Sequence, residues 1–371
     1  MDLNLVIPCL LGLEAPIAEE LRDIGAENIN AENGRVLFSG DEHILARTNI
    51  CSRYSERVQI NVGSFKAFTF DELFEHVKAL PWEMYIGKED QFPVKGYSLN
   101  STLFSVRDCQ SIIKKAVVER LRSKYKTDWF EETGALYQIQ FSIMKDTVTM
   151  LIDTSGAGLH KRGYRLAQTE APIKETLAAS MCSFARLRPY NKLYDPMCGS
   201  GTIVIEGAMR ALHMAPGLNR RFSCEKFSWM SEEVFRQERA RALDEIKQEP
   251  DFFAYGSDID ENALSIAKEN AKRAGVENKI EFFKADIKDF EKKSEFGTVI
   301  CNPPYGERLL DADSAHHIYE QMGEVFERGR GWSYTVISPD EQFEDFFGRR
   351  ADKRRKLYNG MIKCQLYMYF K

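Results

Sequence analysis

The chain has 371 residues and a formal net charge of −5, with 43% hydrophobic and 29% charged residues. This length exceeds what one ordinary core needs and predicts two or three domains, and the composition is that of a soluble globular protein. The apolar stretches are short and interrupted by charges, and the first residues lack the pattern of a signal peptide, so we expect neither a membrane span nor export.

The eight cysteines are scattered through the chain and include no CxxC pair. This spacing is not that of metal ligands, and it predicts no metal site. Reduced thiols of this kind are typical of a cytoplasmic protein.

The front part of the chain predicts an α+β region. Apolar residues recur at helical spacing over 70–80 and over 109–121. Residues 137–152 alternate between apolar and polar side chains around a turn at 145–146, which predicts a hairpin with one buried face. The stretch 155–169 holds glycines and basic side chains without an apolar period, and we interpret it as a linker.

From residue 171 the pattern changes to helices that alternate with short strands. Strands are expected to end at Asp195, at Asp258, near residue 285 and at Cys301, and the final segment 362–370 is expected to form an edge strand. Alternation of this kind predicts a doubly wound α/β sheet that binds its ligand at the carboxyl ends of the strands.

A glycine-rich turn follows the first of these strands, in the segment DPMCGSGT (195–202). Its glycines allow the backbone to approach a ligand closely. A phosphate loop would continue with Lys-Ser or Lys-Thr, and an acid ahead of the turn would repel the pyrophosphate of a dinucleotide. Asp195 instead suits a ligand with an ammonium group and a sulfonium, which describes S-adenosylmethionine (SAM). The expected cofactor residues of this loop are Asp195, Gly199, Gly201 and Thr202.

Acidic residues also follow the next two predicted strands. Asp258 lies where a carboxylate can accept hydrogen bonds from both ribose hydroxyls, and Asp286 lies where it could accept from the adenine amino group. Asp260 has a competing role as the N-cap of the following helix, so we assign the ribose to Asp258.

The segment NPPY (302–305) directly follows a strand that we expect to be buried, and it predicts the reaction. Two prolines remove backbone donors and stiffen the turn, which leaves carbonyl acceptors exposed. An amino group on a base is a double donor, and the Asn302 side chain with the Pro303 carbonyl could accept both hydrogens. Tyr305 offers a ring on which a flipped base can stack. We therefore predict methyl transfer to an exocyclic amino group, with Asn302, Pro303 and Tyr305 as the catalytic residues.

These motifs resemble the catalytic domain of class I SAM-dependent methyltransferases that methylate amino groups. The front part, with GLHKRGYR and APIKETLAAS after it, resembles the bacterial THUMP-containing RNA methyltransferases, and most closely those that methylate guanine N2 of large-subunit ribosomal RNA. The resemblance implies a Rossmann-like doubly wound methyltransferase domain, preceded by an α+β region of ferredoxin-like and THUMP type. The implied boundaries are 1–65 for the ferredoxin-like domain, 66–155 for the RNA-binding THUMP domain, 156–170 for the linker and 171–371 for the methyltransferase domain.

RNA, and ribosomal RNA above all, is thus the expected partner, without metal or membrane. Two locally basic segments and the linker supply the expected RNA contacts, which are Lys114, Lys115, Arg122, Lys161, Arg162, Arg354 and Arg355. The alternatives are a transfer RNA guanine-N2 methyltransferase, a DNA adenine-N6 methyltransferase and a non-catalytic RNA-binding assembly factor. A dehydrogenase is the most distant alternative, because it would leave NPPY without a purpose.

Overall fold

The protein is described here as a computed structural model, which covers residues 1–165, 172–247, 251–305 and 312–370. Residues 166–170 of the expected linker lie outside this range. Residues 306–311, which follow NPPY and include Glu307 and Arg308, also lie outside it. None of the helices within it is both long and apolar enough to cross a membrane.

Seven strands of residues 1–165 form one mixed sheet in the order β2-β3-β1-β4-β7-β6-β5, in which only β5 and β6 pair in parallel. The strands are β1 (Leu3–Pro8), β2 (Glu27–Glu32), β3 (Arg35–Gly40), β4 (Gln59–Lys66), β5 (Val94–Leu99), β6 (Ile139–Met144) and β7 (Thr147–Asp153). The helices of this part are α1 (Glu14–Asp23), α2 (Glu42–Cys51), α3 (Phe70–Ala79) and α4 (Val106–Tyr125). Strand β4 pairs with both β1 and β7, so one sheet runs through the ferredoxin-like and THUMP regions.

The helices predicted over 70–80 and 109–121 and the predicted hairpin are confirmed. Helix α3 starts at a capping box in which Thr69 and Glu72 each accept a hydrogen bond from the other's backbone N–H. The hairpin of β6 and β7 turns at Lys145 and Asp146, whose φ angles of 50° and 62° are left-handed and match the twist of a tight hairpin.

The catalytic part contains a second sheet, whose described strands follow the order β10-β9-β8-β11-β12-β14-β13. They are β8 (Lys192–Asp195), β9 (Phe253–Asp258), β10 (Ile280–Lys284), β11 (Gly297–Cys301), β12 (Trp332–Ser338), β13 (Lys353–Asn359) and β14 (Ile362–Tyr369). The helices are α5 (Glu175–Phe184), α6 (Thr202–Ala211), α7 (Glu232–Asp244), α8 (Glu261–Ala274), α9 (Ala312–Val325) and α10 (Phe343–Phe346). The first five strands in this order are parallel. Strands β9 and β10 lie on one side of β8, and β11 and β12 lie on the other. The strand order therefore reverses between β8 and β11, which is the position where such folds bind ligands.

The expected edge strand at 362–370 is wrong in its position. Strand β14 lies between β12 and β13 and pairs antiparallel with both, so β13 is the edge strand. The basic residues of 353–356 lie on β13, where lysine and arginine on an exposed edge discourage pairing with another chain. In the sequence the charged run indicates only a basic surface, so the strand is not evident from it.

Candidate active site

A cavity of about 560 Å³ lies at the carboxyl ends of β8, β9, β10 and β11. It brings together six of the residues that the sequence predicted for the site, which come from four separate strand ends. They are Asp195, Gly199, Thr202, Asp258, Asp286 and Asn302. A volume of this size is typical of small-molecule and cofactor sites.

The loop between β8 and α6 forms the floor of this cavity. Gly201 has a φ of 80° and directly precedes α6, and a Cβ at this position would lie 3.1 Å from the ring of Phe282. Asn270, buried in α8, donates a hydrogen bond of 3.1 Å to the Ser200 carbonyl. Phe282 and Asn270 thus both contact the loop. A side chain in place of Gly201 would strain the loop backbone.

The carboxylate of Asp195 is almost fully buried, at 1% exposure, on the cavity wall. It accepts one hydrogen bond, from the Met197 backbone N–H at 3.3 Å. Burial raises the pKa of Asp195 well above its ordinary value, and the charge of Asp258 raises it further. A cation beside Asp195 would favour its ionised form, so this wall suits a positively charged ligand group.

The Asp258 carboxylate uses both oxygens to fix backbone at the site. One accepts from the Gly199 N–H at 2.8 Å and the other from the Asp260 N–H at 3.0 Å. Asp260 in turn caps α8 by accepting from the Asn262 N–H at 2.9 Å. Asp286 likewise accepts from the Lys288 N–H at 3.2 Å, and its side chain also lines the cavity. Each carboxylate oxygen can accept a further bond, so Asp258 and Asp286 remain able to bind a ligand.

Asn302 follows β11 and lines the same cavity. Its side-chain oxygen Oδ1 is buried and has no hydrogen-bond donor among the described residues. An unsatisfied buried acceptor costs about 1–3 kcal/mol and is rare in native proteins. The orphaned oxygen is therefore ready to accept a hydrogen bond from a ligand.

The neighbours of Asn302 are placed differently. Pro303 is buried, and Pro304 rather than Pro303 contributes to the described cavity lining. The Tyr305 hydroxyl accepts a hydrogen bond of 2.8 Å from Asn359, the last residue of β13, and burial raises the pKa of Tyr305. The Tyr305 ring is thus anchored to the edge of the sheet.

Sequence reasoning missed Arg165, which lies inside the expected linker. Its guanidinium donates to the Thr202 hydroxyl at 2.6 Å and to the Ile173 carbonyl at 3.0 Å, and it pairs with Glu175 at 3.3 Å. Arg165 thus supports the glycine loop after β8 from outside. The missed helix α9 contributes Ile318 and Gln321 to the cavity wall.

The expected RNA contacts divide into three groups. Lys115 and Lys161 carry exposed ammonium groups that form no ion pair within the described residues. The second group is accessible but paired with acids; its members are Lys114 with Glu132, Arg122 with Asp128 and Arg354 with Glu344. The third group points into the protein and comprises Arg162 and Arg355.

Arg162 is only 4% exposed and donates to the Leu159 and Arg53 carbonyls, with Glu206 at 3.5 Å. Arg355 donates to the Gly12 carbonyl at 2.9 Å and stacks over Phe184. These contacts join the catalytic domain to the front domain and occupy both guanidinium groups.

The strand order, the glycine loop and the acids at successive strand ends define a class I SAM-dependent methyltransferase. Residues 162–368 match a family described as RMKL-like, methyltransferase domain, and this chain belongs to that family. Residues 4–59 match the RlmL ferredoxin-like domain, and residues 67–153 match the THUMP domain.

Two curated relatives span the whole chain. A protein of Bacillus subtilis, named "Putative RNA methyltransferase YpsC", is 44% identical over 99% of this chain and 96% of its own length. The "Ribosomal RNA large subunit methyltransferase K/L" of Psychromonas ingrahamii is 33% identical over 99% of this chain, which spans only 50% of that protein.

Two solved structures are similar over the full chain. SMU.472, described as a putative methyltransferase complexed with SAH, is 40% identical with a TM-score of 0.93, and the match covers 100% of this chain and 98% of that one. A Listeria monocytogenes protein, described as a predicted N6-adenine-specific DNA methylase, is 47% identical with a TM-score of 0.94, over 100% and 96% of the two chains.

Proposed function

We propose that this methyltransferase transfers the methyl group of SAM to the exocyclic N2 amino group of a guanine in 23S ribosomal RNA. The observation that carries the proposal is the buried, unpartnered Oδ1 of Asn302, which shares a cavity with Asp195, Asp258 and Asp286. This acceptor suits a base with an amino group, because the amino group would donate the hydrogen bond that Oδ1 lacks among the described residues.

The three acids fit the polar ends of SAM. Asp195 would face the ammonium group of the methionine part, Asp258 the ribose hydroxyls and Asp286 the adenine amino group. When bound, SAM supplies an electrophilic methyl group on a sulfonium. The described apolar residues of the wall, among them Ile203, Ala263 and Ile287, exclude water from the adenosine part.

Asn302 has a specific task in the transfer. The lone pair of an aromatic amine is delocalised into the ring, so the amine is a poor nucleophile. By accepting an amino hydrogen, Oδ1 favours the geometry in which the lone pair points away from the ring plane. The remaining acceleration comes from holding the two reactants in line.

RNA as the substrate is supported by the THUMP domain at 67–153 and by the names of the curated relatives. Ribosomal RNA is preferred because the relative that spans the whole chain at 33% identity is named for the large ribosomal subunit. Among the expected contacts, Lys115 and Lys161 are the most available to phosphate groups, since both are exposed and unpaired within the described residues.

Product analysis tests the proposal. Ribosomal RNA from a strain that lacks the gene is incubated with the protein and SAM, digested to nucleosides and analysed by mass spectrometry, beside transfer RNA and DNA from the same strain. We expect N2-methylguanosine in the 23S fraction. N6-methyladenine, or a product only in transfer RNA, would replace the proposal by one of its rivals. Cofactor binding without any product would indicate a non-catalytic RNA-binding protein.

A further inference from the structure

A second cavity, of about 330 Å³, lies between the front domain and the back of the catalytic domain. Its walls are α1 and the C-terminal ends of α2, α5, α6 and α7 with the residues that follow them. It shares no described lining residue with the active-site cavity, which lies at the opposite ends of the strands. The proposed methyl transfer gives this second cavity no role.

A buried arginine lies on the inner wall of this cavity. Arg53 is 9% exposed, and its Nη2 donates to the Met214 carbonyl at 2.9 Å. Its Nη1 is buried and has no acceptor among the described residues, and the guanidinium forms no ion pair with any of them. A buried charge normally persists only where it is paired or hydrogen-bonded.

A second arginine lies beside the first. Arg210 donates from Nη1 to the hydroxyl of Tyr54, which is 4% exposed, and it too forms no ion pair within the described residues. Burial lowers the pKa of Arg53; Tyr54, Glu20 and Glu206 oppose this shift, and the charge of Arg210 adds to it. The two guanidinium groups on this wall repel each other, and an anion between them would relieve that repulsion.

None of the described acids forms an ion pair with Arg53 or Arg210, although Glu20 and Glu206 act on Arg53 at longer range. Both oxygens of Glu20 are used, by the Ser52 hydroxyl at 2.8 Å and the Arg53 backbone N–H at 2.9 Å, and burial raises the pKa of Glu20. Glu245 pairs with Arg241 at 2.8 Å and lies 3.7 Å from His213. The described acids that remain, Glu19 and Asp23, are exposed at the mouth.

We propose that this interdomain cavity binds a phosphate-type oxyanion, held by Arg53, Arg210 and the Tyr54 hydroxyl. Guanidinium groups present planar pairs of donors that match the oxygens of a phosphate. The exposed cations Arg188 and Lys247 also line the cavity and would attract the anion to it. The volume admits a phosphate with a small organic group, and the phosphate comes either from a free small molecule or from the RNA backbone.

Calorimetry with inorganic phosphate tests the site in the full-length protein, at constant ionic strength and against chloride as the blank. We expect saturable binding to the wild type and roughly tenfold or greater weakening in Arg210→Gln, as for the loss of one charge-assisted hydrogen bond. Arg210→Gln carries the test because it is less buried than Arg53 and keeps the shape of the wall. Two matched variants, Lys161→Gln on the surface and Asp195→Asn in the active site, should bind phosphate as the wild type does.

The same variant distinguishes the two sources of phosphate. If the RNA backbone occupies the cavity, Arg210→Gln lowers the salt dependence of RNA binding by about one phosphate contact, and inorganic phosphate competes with RNA. If a free phosphate compound occupies it, RNA affinity and its salt dependence stay unchanged while phosphate binding is lost. No phosphate binding above the chloride blank in the folded wild type, or equal phosphate affinity in Arg210→Gln, overturns the proposal.

Discussion

The Asp258 carboxylate accepts a hydrogen bond of 2.8 Å from the backbone N–H of Gly199, which ties the end of β9 to the glycine loop after β8. The acid proposed to hold the ribose thus also shapes the loop proposed to hold the methionine part of the cofactor. Loss of this side chain should disturb both parts of the cofactor site together.

Asp258→Ala should therefore weaken SAM binding by roughly tenfold or more, because hydrogen bonds to charged groups contribute about 1.5–3 kcal/mol each. Asp258→Asn retains one acceptor and should lose less. The measurement is titration calorimetry with SAM on protein whose unfolding midpoint has been checked. Asp289→Ala, at an exposed acid outside the cavity lining, is the control. Unchanged SAM affinity in folded Asp258→Ala would remove Asp258 from the site.

The raised pKa of Asp195 predicts that cofactor binding depends on pH. Without cofactor, the raised pKa means that the folded protein keeps a proton on Asp195 at pH values where the unfolded chain has released it, from about pH 4 upward. The free energy of unfolding therefore falls as the pH rises from about 4 through the raised pKa. A bound ammonium group favours the ionised carboxylate, so binding releases the proton and SAM affinity rises with pH in that window. Calorimetry in two buffers of different ionisation enthalpy measures the release. Asp195→Asn should abolish it, and a proton release that persists in this variant would assign it to another group.

Lys161 and Arg162 are neighbours in sequence with opposite environments. Arg162→Met removes the ion-pair partner of the fully buried Glu206, which keeps only the hydrogen bond of 3.1 Å from the Tyr164 hydroxyl among the described residues. The variant should lower the free energy of unfolding by about 3–5 kcal/mol, measured by denaturant titration. Lys161→Met should leave stability unchanged but weaken RNA binding and reduce its salt dependence by about one contact. The reverse pattern, a stable Arg162→Met with weakened RNA binding, would mean that Arg162 faces the RNA.

Much of the active site could be predicted because its signals are local in sequence. The glycine loop, the acids at strand ends and NPPY each lie within a few residues, and the alternation of strands and helices implies that they meet at one edge. Arg162 and β13 could not be predicted in the same way. Arg162 is buried by contacts with residues more than 100 positions away, such as Arg53, and β13 becomes a strand only through pairing with β14. The sequence does not show whether a basic side chain contacts RNA or a buried glutamate.

Tyr305 allows its ring and its hydroxyl to be tested separately. Tyr305→Phe removes the hydrogen bond from Asn359 but keeps the ring, and it should cost about 1 kcal/mol of stability with a small effect on methyl transfer. Tyr305→Ala also removes the stacking surface, so the apparent affinity for RNA and the rate should both fall. Equal methyl-transfer kinetics in the two variants would show that the ring does not contact the base.

Asn302→Ala tests the central claim most directly, by single-turnover methyl transfer to ribosomal RNA from the deletion strain. Removal of the orphaned acceptor should slow the chemical step on the order of 100-fold to 1000-fold, as for other oriented polar groups that act mainly in the transition state. SAM affinity, measured separately, should stay within a few-fold of the wild type, and Asn302→Asp should be milder because a carboxylate still accepts. A wild-type rate in folded Asn302→Ala would show that NPPY is only a turn and would contradict the proposed methylation of an amino group.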